Sequence, residues 1–119
     1  MSSSKAPRRL QDIIDNAQAI FRYTEGMNFV DFEENRLVYD AVERCLERIC
    51  EAVVKLGEDA PALMPDQPWY RFKAFGNAFR HGYDAIEEDK LFDIVRNDLP
   101  SLYAAVESAL HSFPENDTL

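Results

Sequence analysis

Glycine, basic residues and long apolar runs are scarce in this chain of 119 residues. Four glycines stand beside eight phenylalanines and five tyrosines, a composition typical of a compact folded protein rather than a disordered one. No apolar run approaches the ~20 residues that a membrane span needs, so we expect no membrane association and a cytoplasmic location. The length predicts a single domain over residues 1–119, with frayed ends at residues 1–7 and 114–119.

Cysteine is also rare, and the two that occur form no recognisable site. Cys45 and Cys50 are five residues apart on one predicted helix, which turns their side chains about 140° away from each other. This spacing disfavours a disulfide. The Cys-x-x-Cys spacing and the histidine neighbours of a zinc site are missing as well, so we expect packed or partly exposed thiols, no metal and no cofactor.

The scarcity of cations has one local exception. The 13 Lys and Arg against 22 Asp and Glu give a net charge of -9, which argues against broad binding to duplex nucleic acid. Residues 67–83, however, contain no Asp or Glu and hold Arg71, Lys73, Arg80 and His81. A cationic island with a titratable imidazole is suited to phosphate chemistry.

Hydrophobic periodicity predicts an all-α protein, an up-and-down bundle of four to five helices. The first helix covers residues 8–25 and ends at Gly26. Asp31 followed by Glu34 has the form of a capping box at the start of a long second helix. That helix keeps one face apolar for some seven turns and ends at Gly57.

The second half of the chain is divided by prolines. Prolines at 61, 65 and 68 make residues 59–67 a predicted connecting loop. A third helix then runs from Trp69 to about Arg80, and residues 84–88 form a turn into a fourth. Asp98 is a predicted cap and Pro100 a first-turn residue where the chain restarts or kinks into a fifth helical segment, to about His111.

The third helix has two different sides. At 100° per residue, Phe72, Phe75 and Phe79 fall together and are predicted to be buried. The neighbouring sector is predicted to face outward and holds Trp69, Lys73, Gly76, Asn77 and Arg80. Aromatic surface beside this polar strip is expected to be covered by a partner chain, and its residues are Trp69, Tyr70 and Phe72.

His81 lies at or just past the end of this predicted helix, beside Asn77, Arg80 and Tyr83. An imidazole there can take a proton from a ribose hydroxyl or return one to a leaving oxygen. A nearby cation would stabilise charge on the phosphoryl group, and Asn77 could orient a phosphate. The alternative is a structural histidine that interacts with the last carbonyls of the helix.

The same residues match a known motif, which reads Arg-Asn, three residues, His, any residue, Tyr. Asn77, His81 and Tyr83 occupy its later positions, and on this motif the chain resembles the HEPN superfamily, specifically its HepT-like group. Further similar segments follow the family's order, and they are Leu37-Val38-Tyr39-Asp40-Ala41-Val42, Ile49-Cys50-Glu51-Ala52 and Asn97-Asp98-Leu99-Pro100.

The resemblance implies a small helical toxin that acts on RNA as a metal-independent endoribonuclease, with His81 and Asn77 as catalytic residues. It implies a homodimer in which the motif helices of both chains line one cleft. The implied partner is a minimal nucleotidyltransferase antitoxin, which would silence the toxin by transferring AMP to Tyr83. A bulky anionic group there would occupy the phosphate site and cancel its positive field.

Two positions depart from the family pattern. The leading arginine of the motif is Gly76 in this chain, and Cys50 stands where the family often has glycine. An arginine presents a planar, permanently charged fork that glycine cannot replace. Arg80, one helical turn after Gly76, and Lys73, three residues before it, are the candidate substitutes.

One further candidate and two further functions stay open. Glu51 is a candidate supporting residue that could orient Arg80 or His81, or it is an ordinary solvated glutamate. Because of Gly76, the chain could be an attenuated toxin, or a non-catalytic module that binds nucleotides and presents them to a nucleotidyltransferase. Cleavage of RNA by the isolated chain would distinguish a nuclease from both.

Overall fold

The computed structural model describes residues 5–81 and 86–114, which form an all-helical bundle. The elements in chain order are α1 (Ala6–Tyr23), α2 (Phe29–Glu33), α3 (Arg36–Leu56), α4 (Asp59–Leu63), α5 (Trp69–Arg80), α6 (Glu88–Asp93), a π-helical segment (Ile94–Asp98) and α7 (Leu99–His111). The all-α prediction is confirmed. Across the described ranges, no helix is both long enough and apolar enough to cross a bilayer.

The long helices α1 and α3 form the centre of the bundle. Each buries an apolar stripe, with Leu10, Ile13 and Ile20 on α1 facing a core that includes Leu46 and Ile49 of α3. Burial of such surface, at about 25 cal/mol per Å², is the main favourable term in folding. α1 also packs against α7, and α5 packs against α3. The position of α5 is therefore set by its packing against α3.

Both long helices end close to the predicted glycines. Gly26 and Gly57 have φ angles of 75° and 56°, a left-handed conformation that glycine adopts without steric cost. The start of α1 differs from the prediction, because Ala6 and Pro7 are helical and buried rather than frayed. A proline is compatible with the first turn, where its missing N–H would have no intrahelical partner.

The predicted capping box at Asp31 is wrong. Asn28 is the cap, and its side chain accepts a hydrogen bond from the Asp31 N–H at 2.8 Å, while the Asp31 carboxylate accepts one from the Asn28 N–H at 3.2 Å. Asp31 therefore lies inside the separate short helix α2. The long helix α3 is capped by Asn35, whose Oδ1 accepts from the Val38 N–H at 3.0 Å.

The predicted loop at residues 59–67 contains a helix, so that prediction is also wrong in part. Asp59–Leu63 forms α4 even though it includes Pro61. Proline is tolerated in the first turn of a helix because the first N–H groups have no intrahelical acceptors. Residues 64–68 alone connect α4 to α5.

The fourth and fifth predicted helices are joined without a loop. In the π-helical segment, the Leu99 N–H donates to the carbonyl of Ile94, five residues earlier. Asp98 precedes α7 and Pro100 lies in its first turn, as predicted, but the Asp98 side chain makes no capping hydrogen bond. Its carboxylate instead lies 2.8 Å from Nε of Arg71 on α5.

α5 occupies the predicted residues, but one of its sides is not exposed as predicted. Phe72 is buried, with Phe75 and Phe79 partly buried, in agreement with the sequence. The prediction that Trp69 and Gly76 face outward is wrong, since Trp69 is 8% exposed and Gly76 is buried. The Trp69 indole N–H donates to the carbonyl of Met64 at 2.9 Å. Of the expected aromatic surface, only Tyr70 remains exposed, at 75%.

Candidate active site

α5 lies between α3 and α6 and leaves one strip open to solvent. Gly76 and Arg80 face α3, whereas Arg71 and Phe75 lie beside α6. At 100° per residue, the strip between these two sides holds five exposed residues, Tyr70, Lys73, Ala74, Asn77 and His81. Asn77 and His81 of the motif are therefore accessible on the same strip.

His81 is the C-terminal cap of α5, where the sequence predicts it. Its backbone N–H donates to the carbonyl of Asn77 at 3.0 Å, and its side chain is exposed. The imidazole is therefore accessible to a substrate that approaches from solvent. The residue before it, Arg80, is the last residue of the helix.

Gly76 allows close packing between α5 and α3. A Cβ atom at this position would lie 3.4 Å from the Cβ of Cys50 and 3.3 Å from Nη1 of Arg80. Cys50 is 1% exposed. Burial raises the pKa of the Cys50 thiol to about 12, and the positive charge of Arg80 acts in the opposite direction. At neutral pH the thiol is therefore protonated, and Cys50 packs in the core as an apolar residue and does not act as a nucleophile.

A cavity of about 210 Å³ opens between α3 and α5 next to Gly76. The buried residues Cys50 and Gly76 contribute to its lining, and Val54 and Phe79 add apolar surface. Its charged residues are Glu47, Glu51, Lys55 and Arg80. The cavity therefore combines an apolar lining with two carboxylates and two cations.

The Arg80 guanidinium folds back over Gly76. Its Nη1 takes part of the space that a side chain at position 76 would need, and its Nη2 donates a hydrogen bond to Oδ1 of Asn77. Residues four apart share a helix face, so a cation from the following turn lies beside position 76, where the motif has its arginine. Asn77 orients this guanidinium.

The structure brings some of the predicted site residues together and leaves others apart. Arg80 is hydrogen-bonded to Asn77, and Glu51 lines the same cavity as Arg80. Lys73 is exposed on α5 but does not line that cavity. Tyr83 lies outside the described residues, as do residues 84 and 85 of the predicted turn.

Lys55 is a cation of the cavity that the sequence interpretation missed. Its Nζ lies 3.8 Å from Oε2 of Glu51, one helical turn earlier on α3. The signal was present in the spacing, because a residue four positions after Glu51 shares its helix face. Placing Glu51 at the cleft therefore also places Lys55 there.

Comparison with known proteins identifies the family. The family model described as Ribonuclease HepT-like matches residues 13–109, from within α1 to near the end of α7. The chain belongs to the ribonuclease HepT-like family. The resemblance noted on the motif and on three further segments is confirmed.

Similar proteins have names of the same kind. "Putative RNase MJ1380" of Methanocaldococcus jannaschii is 30% identical over 107 residues, which cover 90% of this chain and 98% of that protein. "Putative RNase MJ0127" of the same organism is 32% identical over 108 residues, 91% of this chain and 89% of that protein. "Probable ribonuclease HepT" of Thermococcus cleftensis is 31% identical over 98 residues, 82% and 89% of the two chains. No solved structure matches the chain.

Proposed function

We propose that this HepT-like chain is an endoribonuclease that cleaves RNA without a metal ion, with His81 as general acid or base. The observation that carries the proposal is the Arg80 guanidinium, held over Gly76 by Asn77. It supplies a permanently charged fork for phosphate oxygens beside position 76, the residue at which the family motif has its arginine. His81 follows Arg80 directly, so the proton carrier and the cation lie at the same end of α5.

In the proposed reaction, the ribose 2′-oxygen attacks the adjacent phosphorus, and the bond between phosphorus and the 5′-oxygen breaks. His81 takes the proton of the 2′-hydroxyl or returns one to the leaving 5′-oxygen. Arg80 binds the non-bridging oxygens and stabilises the charge that develops on them. The products are a 2′,3′-cyclic phosphate and a free 5′-hydroxyl.

The position of Arg80 also bears on the alternatives. An attenuated toxin or a non-catalytic module is expected if position 76 has no cation near it, and Lys73 does not line the cavity. Arg80 places a guanidinium there instead. This arrangement favours the nuclease over the other two functions.

We extend the proposal to a homodimer formed through the open strip of α5. Tyr70 is 75% exposed on that strip and borders a groove of about 610 Å³ between α5 and α6. A second copy packed on the strip would cover this aromatic surface and bring both motif helices together.

The toxin role, the nucleotidyltransferase antitoxin, the modification of Tyr83 with AMP and the cytoplasmic location are proposed from the family resemblance.

The test is cleavage of labelled RNA by the purified protein in the presence of a chelator. We expect the wild-type protein to cut, and His81→Ala to lower the rate by at least about a hundredfold, as loss of a general acid or base does. His111→Ala is the matched control, because the other histidine is exposed at the end of α7. Full activity of His81→Ala, or cleavage that requires added metal, would contradict the proposal. No cleavage together with a thermal shift on adding ATP would favour the non-catalytic module.

A further inference from the structure

A second cleft lies beside the cavity of the candidate active site. It has a volume of about 240 Å³ and is located between α1 and α3. Glu51 and Lys55 line both the cavity and this cleft, so the two spaces are neighbours separated by one pair of side chains. The Lys55 Nζ and the Glu51 Oε2 are 3.8 Å apart.

Cations line this second cleft from both of its helices. Arg48 and Lys55 are seven residues apart on α3, two turns along one face, which corresponds to a rise of about 10 Å. Arg9 lines the cleft from α1. Together with Arg80 of the first cavity, these residues form a group of cations contributed by three helices. We call Lys55, Arg48 and Arg9 the cationic track.

The cations of the track are available for a ligand. The exposed Lys55 and Glu51 lie 3.8 Å apart, and such pairs contribute little stability. Arg9 is partly buried and lies at the same distance from Asp12. Arg48 is exposed and forms no ion pair within residues 5–81 and 86–114. Each cation can therefore bind a phosphate without breaking a strong internal contact.

The arrangement of charges fits a ribose-phosphate strand better than a single small anion. Several separated cations match a polymer that carries one charge per residue. Three carboxylates, Asp12, Glu47 and Glu51, line the two spaces as well and can accept hydrogen bonds from 2′-hydroxyl groups. Deoxyribose lacks that hydroxyl, so this pattern favours RNA over DNA.

We propose that the cavity and the second cleft form one path for single-stranded RNA, with the phosphates beyond the cleaved bond bound successively by Lys55, Arg48 and Arg9. The proposal rests on the proposed function for the nature of the strand and specifies how that strand is held. It implies that long RNA is a better substrate than a dinucleotide.

The first experiment measures binding without cleavage. In the His81→Ala background, fluorescence anisotropy follows an RNA of about twelve nucleotides over a series of salt concentrations. We expect Arg9→Ala/Arg48→Ala to weaken binding and to reduce the slope of log K against log salt by about 1.4, the loss of two single-strand phosphate contacts. The matched control is Arg8→Ala/Arg22→Ala, which removes the same charge from exposed positions of α1 that line neither space.

The second experiment measures the dependence of cleavage on substrate length. The ratio of kcat/KM for the long RNA to kcat/KM for a dinucleotide is expected to fall about tenfold in Arg9→Ala/Arg48→Ala, and to stay constant in the control. An unchanged salt slope in Arg9→Ala/Arg48→Ala, or an equal loss of binding in the control variant, would contradict the proposed cationic track. If no variant cleaves RNA, the nuclease proposal fails, while the anisotropy series still decides whether RNA binds along the track.

Discussion

Gly76 and Cys50, the two departures from the family pattern, contact each other. A Cβ at position 76 would lie 3.4 Å from the Cβ of Cys50. In this chain the side chain is on α3 and the glycine on α5, whereas the family pattern has glycine at position 50 and arginine at position 76. The space at Gly76 then admits the guanidinium of Arg80. The two departures therefore belong to the same packing contact between α3 and α5.

This arrangement predicts that a guanidinium can be moved from one position to the other. Arg80→Ala should lower RNA cleavage by about a hundredfold, the usual cost of losing a donor to the developing charge. Gly76→Arg/Arg80→Ala should recover most of that loss, because it puts a guanidinium on the residue where the motif has one, and the Arg80 side chain no longer occupies the space beside position 76. The measurement is the single-turnover rate on a labelled RNA.

Arg80→Lys is the control for this experiment. It keeps the charge but lacks the planar fork that binds two oxygens, so we expect an intermediate rate. A double variant as inactive as Arg80→Ala, with its fold intact by circular dichroism, would show that Arg80 does not act in place of the motif arginine.

At the scale of elements, one arginine connects α5 to the π-helical segment. Arg71 Nη2 lies 2.9 Å from Oδ2 of Asp93, and its Nε lies 2.8 Å from Oδ2 of Asp98. The two carboxylates are five residues apart, the spacing of a hydrogen bond in a π-helix, so they face the same guanidinium. This contact ties the motif helix to the segment that leads into α7.

The two carboxylates should differ in their contribution to stability. Asp98 is 17% exposed and Asp93 is 48% exposed. We expect Asp98→Asn to lower the free energy of unfolding by about 1 kcal/mol, since its carboxylate is the less exposed of the two, and Asp93→Asn by roughly 0.3 kcal/mol, as for an exposed pair. Urea denaturation of both variants measures the difference. Equal effects, or the opposite order, would mean that burial does not set the strength of this contact.

The long helices follow from the sequence, whereas the short elements do not. The stripes of α1 and α3 repeat over many turns, so their period is unambiguous. α2 and α4 have five residues each, too few to show a period. The π-helical segment is equally short, and its one wider turn leaves no mark on the apolar pattern. Asn28, Asp31 and Asn35 are all good caps, and only the fold determines which ones are used.

At the scale of the whole molecule, the sequence places the motif but not its neighbours. The position of His81 follows from where α5 ends. The burial of Trp69 and Gly76 depends on which helix packs against α5. The direction of the Arg80 side chain depends on local packing as well. Such contacts between distant segments leave no trace in periodicity.

The homodimer proposal predicts an assembly of twice the 13.7 kDa chain mass. Tyr70→Glu should convert it to monomers, because a charge would be buried at the proposed contact. Leu37→Glu is the control, since Leu37 is 80% exposed at the start of α3 and lies away from the strip. Sedimentation equilibrium measures both. A monomeric wild-type protein, or a Tyr70→Glu protein that stays dimeric, would disprove this interface.

The last turn of α5 holds every group that the proposed chemistry needs. It is closed by the bond from the His81 N–H to the Asn77 carbonyl, and Arg80 lies between these two residues. Helix ends open more readily than helix middles. A single fraying event would withdraw the cation, the amide that orients it and the imidazole together, while Phe72 and the buried stripe stay packed. Opening of one backbone hydrogen bond would therefore disassemble the proposed site.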